Sequence, residues 1–141
     1  MATGYLSLKL ETESTKALAE KFATHPQVLC HHMTLSFGSH ELSALPPAFA
    51  GSNRGNSFTL KVIGFARSNA IEAVAVGLVQ KDGSVVTEGI SSNKIPHVTV
   101  ALVPELAKPV QSNDLLAAGY DVIADGLELK AVLEVIEFAK K

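Results

Sequence analysis

Cysteine occurs once among the 141 residues, as Cys30, so no internal disulfide can form and an apolar core must hold the fold. Long apolar runs are also missing: charges or glycines interrupt each one well before the roughly 20 residues a helix needs to cross a bilayer. The N-terminal residues show no charged stretch followed by an apolar run of the signal-peptide kind. A cytoplasmic protein with no membrane partner is the expectation. Basic charge is not in excess either, with 12 Lys and Arg against 14 Asp and Glu for a formal net charge of −2. A long nucleic-acid groove needs a broad Lys/Arg surface to neutralise many phosphates, and none is evident. A small anion or the end of a strand is still compatible.

What is present suits a single domain over 1–141. The sequence is 47% hydrophobic and 18% charged, the balance of an ordinary compact globule. A chain of this length buries roughly 68–70% of its unfolded surface, enough to fold without staples.

Residues 5 to 10 alternate, with Leu6, Leu8 and Leu10 on one side and Tyr5, Ser7 and Lys9 on the other, as an opening strand does. A helix follows, capped by Thr12 or Ser14, carrying Ala17, Leu18 and Phe22 as its apolar stripe and stopping before Pro26. Residues 40 to 56, with Pro46-Pro47 and a run of Gly, Ser and Asn, read as a mobile loop. Ser57 to Ala66 and Ala70 to Val79 read as a hairpin turned at Arg67-Ser68-Asn69. Ser112-Asn113-Asp114 caps a short helix that stops at Gly119. Leu127 to Phe138 fits both a strand and a helical stripe; its β-branched content and the preceding Asp125-Gly126 turn favour strand. The fold class is therefore α+β, mainly antiparallel strands with two or so helices packed on them.

One pattern occurs twice. His32-Met33-Thr34-Leu35 and His97-Val98-Thr99-Val100 each place a histidine, an apolar residue, a threonine and another apolar residue in a β-branched run. On a strand, His32, Thr34 and Ser36 share one face while Met33, Leu35 and Phe37 take the other, and His97 and Thr99 separate from Val98 and Val100 in the same way. Each strand offers an imidazole and a hydroxyl to one surface. Imidazole titrates near neutrality, so a pair of them can supply a general base and a general acid.

Two His-x-Thr-φ motifs on separate strands resemble the two-histidine phosphoesterase superfamily. That group includes cyclic phosphodiesterases and RNA-ligase-like proteins acting on 2′-5′ linkages. The stretch from Lys94 to Leu102, with Ser112-Asn113 shortly after, is most similar to its RNA-repair branch, the cyclic phosphodiesterase domain of tRNA ligases. The resemblance implies a bilobal fold whose two motif strands face each other across a central cleft. It also implies His32 and His97 as catalytic residues, Thr34 and Thr99 as phosphate-binding ones, and chemistry without a metal or organic cofactor.

The substrate implied is a 2′,3′-cyclic phosphate at an RNA end or on a small cyclic nucleotide. Cleavage or joining of a 2′-5′ linkage, hydrolysis of another cyclic nucleotide, and a binding module that holds phosphate without turnover are the competing readings. Arg54 is a candidate phosphate contact from its loop, and Tyr5 and Phe37 are candidate base-stacking residues; ordinary exposure and strand packing are the plainer readings. On a regular strand Cys30 shares the His32 face, which raises a thiol nucleophile or a zinc site of Cys30, His32 and His97. Against these, zinc spacing is missing and a lone cysteine is usually a small buried apolar residue. His31 falls on the opposite face, His25 and His40 fall in loops, and Lys61 and Arg67 read as solvated.

Overall fold

Leucines at alternate positions become one wall of the core because Gly4–Leu10 is a strand, β1, with Leu6, Leu8 and Leu10 buried. The elements that follow are α1 (Thr12–Phe22), β2 (Gln27–Val28), β3 (His32–Phe37), β4 (Ser57–Arg67), β5 (Ile71–Val79), β6 (Val85–Val86), β7 (His97–Leu102), α2 (Ser112–Ala117), β8 (Asp121–Val122) and β9 (Glu128–Glu137). This computed structural model describes residues 4–37, 41–91, 93–108, 111–123 and 126–137. His40, Asp125 and Phe138 of the sequence reading lie outside them.

Among the described residues the strands join in one antiparallel sheet ordered β2-β7-β5-β4-β9-β1-β3, with β6 on β5 and β8 on β4. Within the ambiguous segment, Glu128–Glu137 is thus a strand, paired with β1 on one side and β4 on the other. The expected α+β class holds.

Cross-strand partners share a face, so the register fixes which side chains lie together. Leu8 opposes Met33 and Leu133, Leu60 opposes Leu78 and Leu129, and Val74 opposes Val98. All of these belong to the main apolar core, together with Leu18 and Phe22 of α1. The core therefore occupies one face of the sheet. The residues that alternate with it point to the other face.

Local departures from the sequence reading have physical causes. The cap of α1 is Glu11, without a side-chain bond; Ser14 is buried instead and its Oγ accepts from the Lys130 backbone N–H at 2.7 Å. The 41–56 segment is built rather than loose. It carries two short 3-10 turns, Leu42–Ala44 and Pro47–Phe49, and Phe49 is buried edge-on to Phe58 with ring centroids 5.0 Å apart. The hairpin turn follows expectation, with Ser68 Oγ accepting from the Ala70 and Ile71 amides.

Arg67 is not simply solvated. It donates to the fully buried Glu72 at 2.6 Å, and the same carboxylate accepts from the Thr24 N–H and hydroxyl and from the His25 N–H. This cluster ties the end of α1 to the β4–β5 hairpin, and His25 joins it by donating from Nε2 to the Ser68 carbonyl at 2.8 Å. Burial pushes the Glu72 carboxyl up, yet these hydrogen bonds outweigh it and hold it below its ordinary 4.5.

Candidate active site

The two motif strands sit at opposite ends of the sheet path but meet in space. Residues 29 and 30 donate backbone bonds to Val100 and Thr99 of β7, and one residue later the His31 carbonyl accepts from Leu10 of β1. The chain thus crosses from β7 to β1 within a few residues. Cys30 makes the crossing with φ +51, the left-handed conformation that a residue with a Cβ rarely adopts. The Thr15 hydroxyl donates to the Cys30 carbonyl at 2.8 Å and holds the corner. Because of it, Cα atoms of β3 and β7 approach within 8 Å.

This corner corrects two expectations that assumed a regular strand through residue 30. Cys30 does not share the His32 face: it is fully buried in the main core, and its thiol donates to the Val100 carbonyl at 3.5 Å. Burial, with the Glu72 carboxylate adding to it, pushes the thiol up to about 11, so it is protonated and unsuited to nucleophilic work near neutrality. Nor does His31 turn away from His32. Their rings lie edge to face at 5.8 Å. Among the described residues no group of three His, Cys, Asp or Glu side chains is placed to hold a metal ion.

His32 opposes Lys9 and Thr34 opposes Ser7, whose other partner is Glu134; His97 opposes Ala75 and Thr99 opposes Ala73. Followed through β9, β4 and β5, these pairings put His32, Thr34, His97 and Thr99 on the face opposite the main core. The alternation expected from sequence is what separates them from Met33, Leu35, Val98 and Val100, all fully buried.

His97 is 8% exposed, and its Nδ1 lies 2.8 Å from the Ile95 carbonyl. A carbonyl only accepts, so Nδ1 carries the hydrogen and Nε2 is left for proton exchange. Burial lowers His97 from 6.5, and the Ile95 bond opposes this only in part. His32 is also lowered, chiefly by burial, then by charge on His31 and on His97, with Glu134 pulling the other way. Charge on His97 thus reaches His32 across the meeting of the two strands.

Other contacts were not readable as site contacts beforehand. Ser112, expected as a cap, is fully buried in the first turn of α2, and its Oγ shares a 2.8 Å hydrogen bond with Thr99 Oγ1. Ser91 donates from its hydroxyl to the Thr34 carbonyl at 2.6 Å, bonding the approach to β7 directly to β3. Ser112-Asn113 beside the second motif was the only hint of the former. Nothing in the local pattern signals the latter.

Of the remaining candidates, the Tyr5 ring lies 5.7 Å from His32 and belongs to the site's surroundings. Phe37 pairs with Tyr5 in the β1–β3 ladder, and its side chain lies outside the described ones. Arg54 is exposed where the chain enters β4, next to a Gly55 N–H that donates to the Leu133 carbonyl. Three strand spacings, roughly 14 Å, separate that edge from β3.

The family model of the fungal tRNA ligase phosphodiesterase domain matches residues 9–140. A solved structure described as a fungal RNA kinase superposes with a TM-score of 0.52 at 12% identity, over 97% of this chain and 44% of that one. The likeness is one of fold, and the chain spans less than half of that larger protein's chain. No curated protein sequence matches.

Proposed function

Since the chain belongs to the fungal tRNA ligase phosphodiesterase domain family, and so to a phosphodiesterase-type function, we propose that it hydrolyses a 2′,3′-cyclic phosphate at an RNA end or on a small nucleotide. The observation that carries this reading is the meeting of β3 and β7, with both His-x-Thr sets on the face opposite the core.

The cyclic diester takes its place between the imidazoles, with the Thr34 and Thr99 hydroxyls donating to its nonbridging oxygens. One neutral imidazole removes a proton from water as the water oxygen bonds to phosphorus. The other, protonated, gives its proton to the departing ribose oxygen as that P–O bond breaks. One proton is taken up and one released, leaving a phosphate monoester and a free hydroxyl. Both free imidazoles are held low, so an unoccupied site is mostly uncharged near neutrality. An anionic phosphodiester between them favours the charged form and supplies the acid where it is needed.

The test is turnover of a 2′,3′-cyclic mononucleotide followed by phosphorus NMR, with and without EDTA. Wild-type protein should convert it to a monoester in both. His32→Ala and His97→Ala should each lower the rate by about 10²-fold or more. Binding without conversion, or near-full activity in either variant, would overturn the paired mechanism.

A further inference from the structure

The face that carries the two motifs extends well past them, and its side chains form a path. Lys9 opposes His32; Val132 opposes Lys9; two residues along β9 on the same face is Lys130, which opposes Thr59 and donates to its hydroxyl at 3.0 Å. Strand geometry puts Lys130 roughly 12 Å from His32 along the sheet, two strands over and two residues along. Lys9 lies between them, and both lysines are exposed.

The path ends at a cavity of about 790 Å³ whose wall includes Ser57, Phe58, Thr59, Gln80, Lys81 and Lys130. Neither motif contributes to it. Its volume is that of a small-molecule site, and its wall offers hydroxyl and amide groups for base edges and two ammonium groups for phosphate. Asp82 also lines the wall, but its carboxylate is occupied by the Ser84 amide and hydroxyl at 2.9 and 2.6 Å. Glu128 and Glu134 flank the path on β9 and limit its positive charge. This favours a short strand over a long duplex.

From this juxtaposition we infer that the cavity is a subsite for a nucleotide upstream of the reacting end, with Lys9 and Lys130 guiding the intervening backbone phosphates of a single RNA strand. The inference rests on the reaction proposed above. It deepens that reading by making the end of an RNA strand, rather than a free mononucleotide, the preferred substrate. A mononucleotide fills the motif site and leaves the path and cavity empty.

The experiment compares wild type with Lys81→Ala/Lys130→Ala, whose exposed side chains touch neither motif and whose melting should match wild type. Binding of a short single-stranded RNA ending in a 3′-phosphate is followed by fluorescence anisotropy across a salt series. Turnover of a cyclic mononucleotide and of the same oligonucleotide with a cyclic end is measured in parallel. The double variant should bind the oligonucleotide roughly tenfold more weakly, with a salt slope shallower by about 1.4, or about 0.7 per lost phosphate contact. Its mononucleotide turnover should equal wild type, while the preference for the oligonucleotide disappears. Unchanged oligonucleotide binding, or an equal fall in turnover of both substrates, would overturn the subsite. Wild type that converts neither substrate while the binding difference persists would instead remove the reaction and leave the subsite standing.

Discussion

Replacing Glu72 with glutamine keeps the shape of a fully buried side chain and removes its charge. The carboxylate accepts from the Thr24 and His25 amides on one oxygen, at 2.9 and 3.0 Å, and from the Thr24 hydroxyl and Arg67 Nε on the other, both at 2.6 Å. Glutamine can keep the two amide donors on its carbonyl oxygen, but its NH₂ then faces two further donors. One charge-assisted bond and one hydroxyl bond are lost or inverted. Hydrogen bonds to charged groups contribute about 1.5–3 kcal/mol, and a buried group left facing like partners costs a similar amount. Arg67, whose side chain is 44% exposed, recovers hydration and softens the loss. The expected cost is about 2–4 kcal/mol near neutral pH, a fall in Tm of about 6–12 °C for a domain of this size.

The pH dependence is the sharper half of that prediction. The Glu72 carboxyl is held below its ordinary 4.5 when folded, so its stabilisation is fully present above that value and is lost as pH falls through the folded one. Glutamine has no such transition. Urea unfolding followed by circular dichroism near pH 7 and again at about pH 3 should therefore show the gap between wild type and variant narrowing on acidification. A variant within about 0.5 kcal/mol of wild type at neutral pH, or a gap that stays constant in acid, would refute the account of Glu72 as an ionised, hydrogen-bonded anchor.

The pH profile of kcat/KM for a cyclic mononucleotide should be bell-shaped with its maximum on the acid side of pH 6.5. Both imidazoles of the free protein lie below that value, and the singly protonated pair is most populated between them. A maximum above about pH 7.5 would contradict this. Ser112→Ala should lower kcat about tenfold with little change in KM, because the Thr99 hydroxyl loses the partner that orients it, and should reduce stability by about 1 kcal/mol. Adding it to Thr99→Ala should cost no further activity, and additive losses would assign Ser112 a purely structural role.

Much of the fold was legible because alternation is a local signal. β1, β3, β4 and β9 follow period-two patterns, β5 and β7 are buried on both faces, and alternation put each His-x-Thr pair on the face away from the main core. What failed depends on partners distant in sequence. Cys30 and His31 were misplaced because the strand was extended through a left-handed corner that only the crossing from β7 to β1 requires. Arg67 read as solvated because its partner's burial is set by α1 packing onto the hairpin, and Ser14 read as a cap because the Lys130 amide that claims it lies 116 positions away. The Ser91 bond to Thr34 is equally non-local, spanning 57 positions. The proline and glycine content of 41–56 correctly excluded long elements there. It did not foresee that Phe49 would be buried against Phe58.

The position of β1 bears on how the molecule comes apart. Among the described residues it is the sole ladder neighbour of β3, and it leans on β9, its partner from far down the sequence. The first half of the chain therefore does not hold its own histidine in place: His32 depends on a strand laid down after His97, through an intermediary laid down before both, whereas His97 is held by the neighbouring β5. Such non-local pairing is slow to assemble. Partial unfolding that frees β9 removes the support of β1 and β3, so His32 leaves while β5 still holds His97, and the imidazole pair is broken from one side.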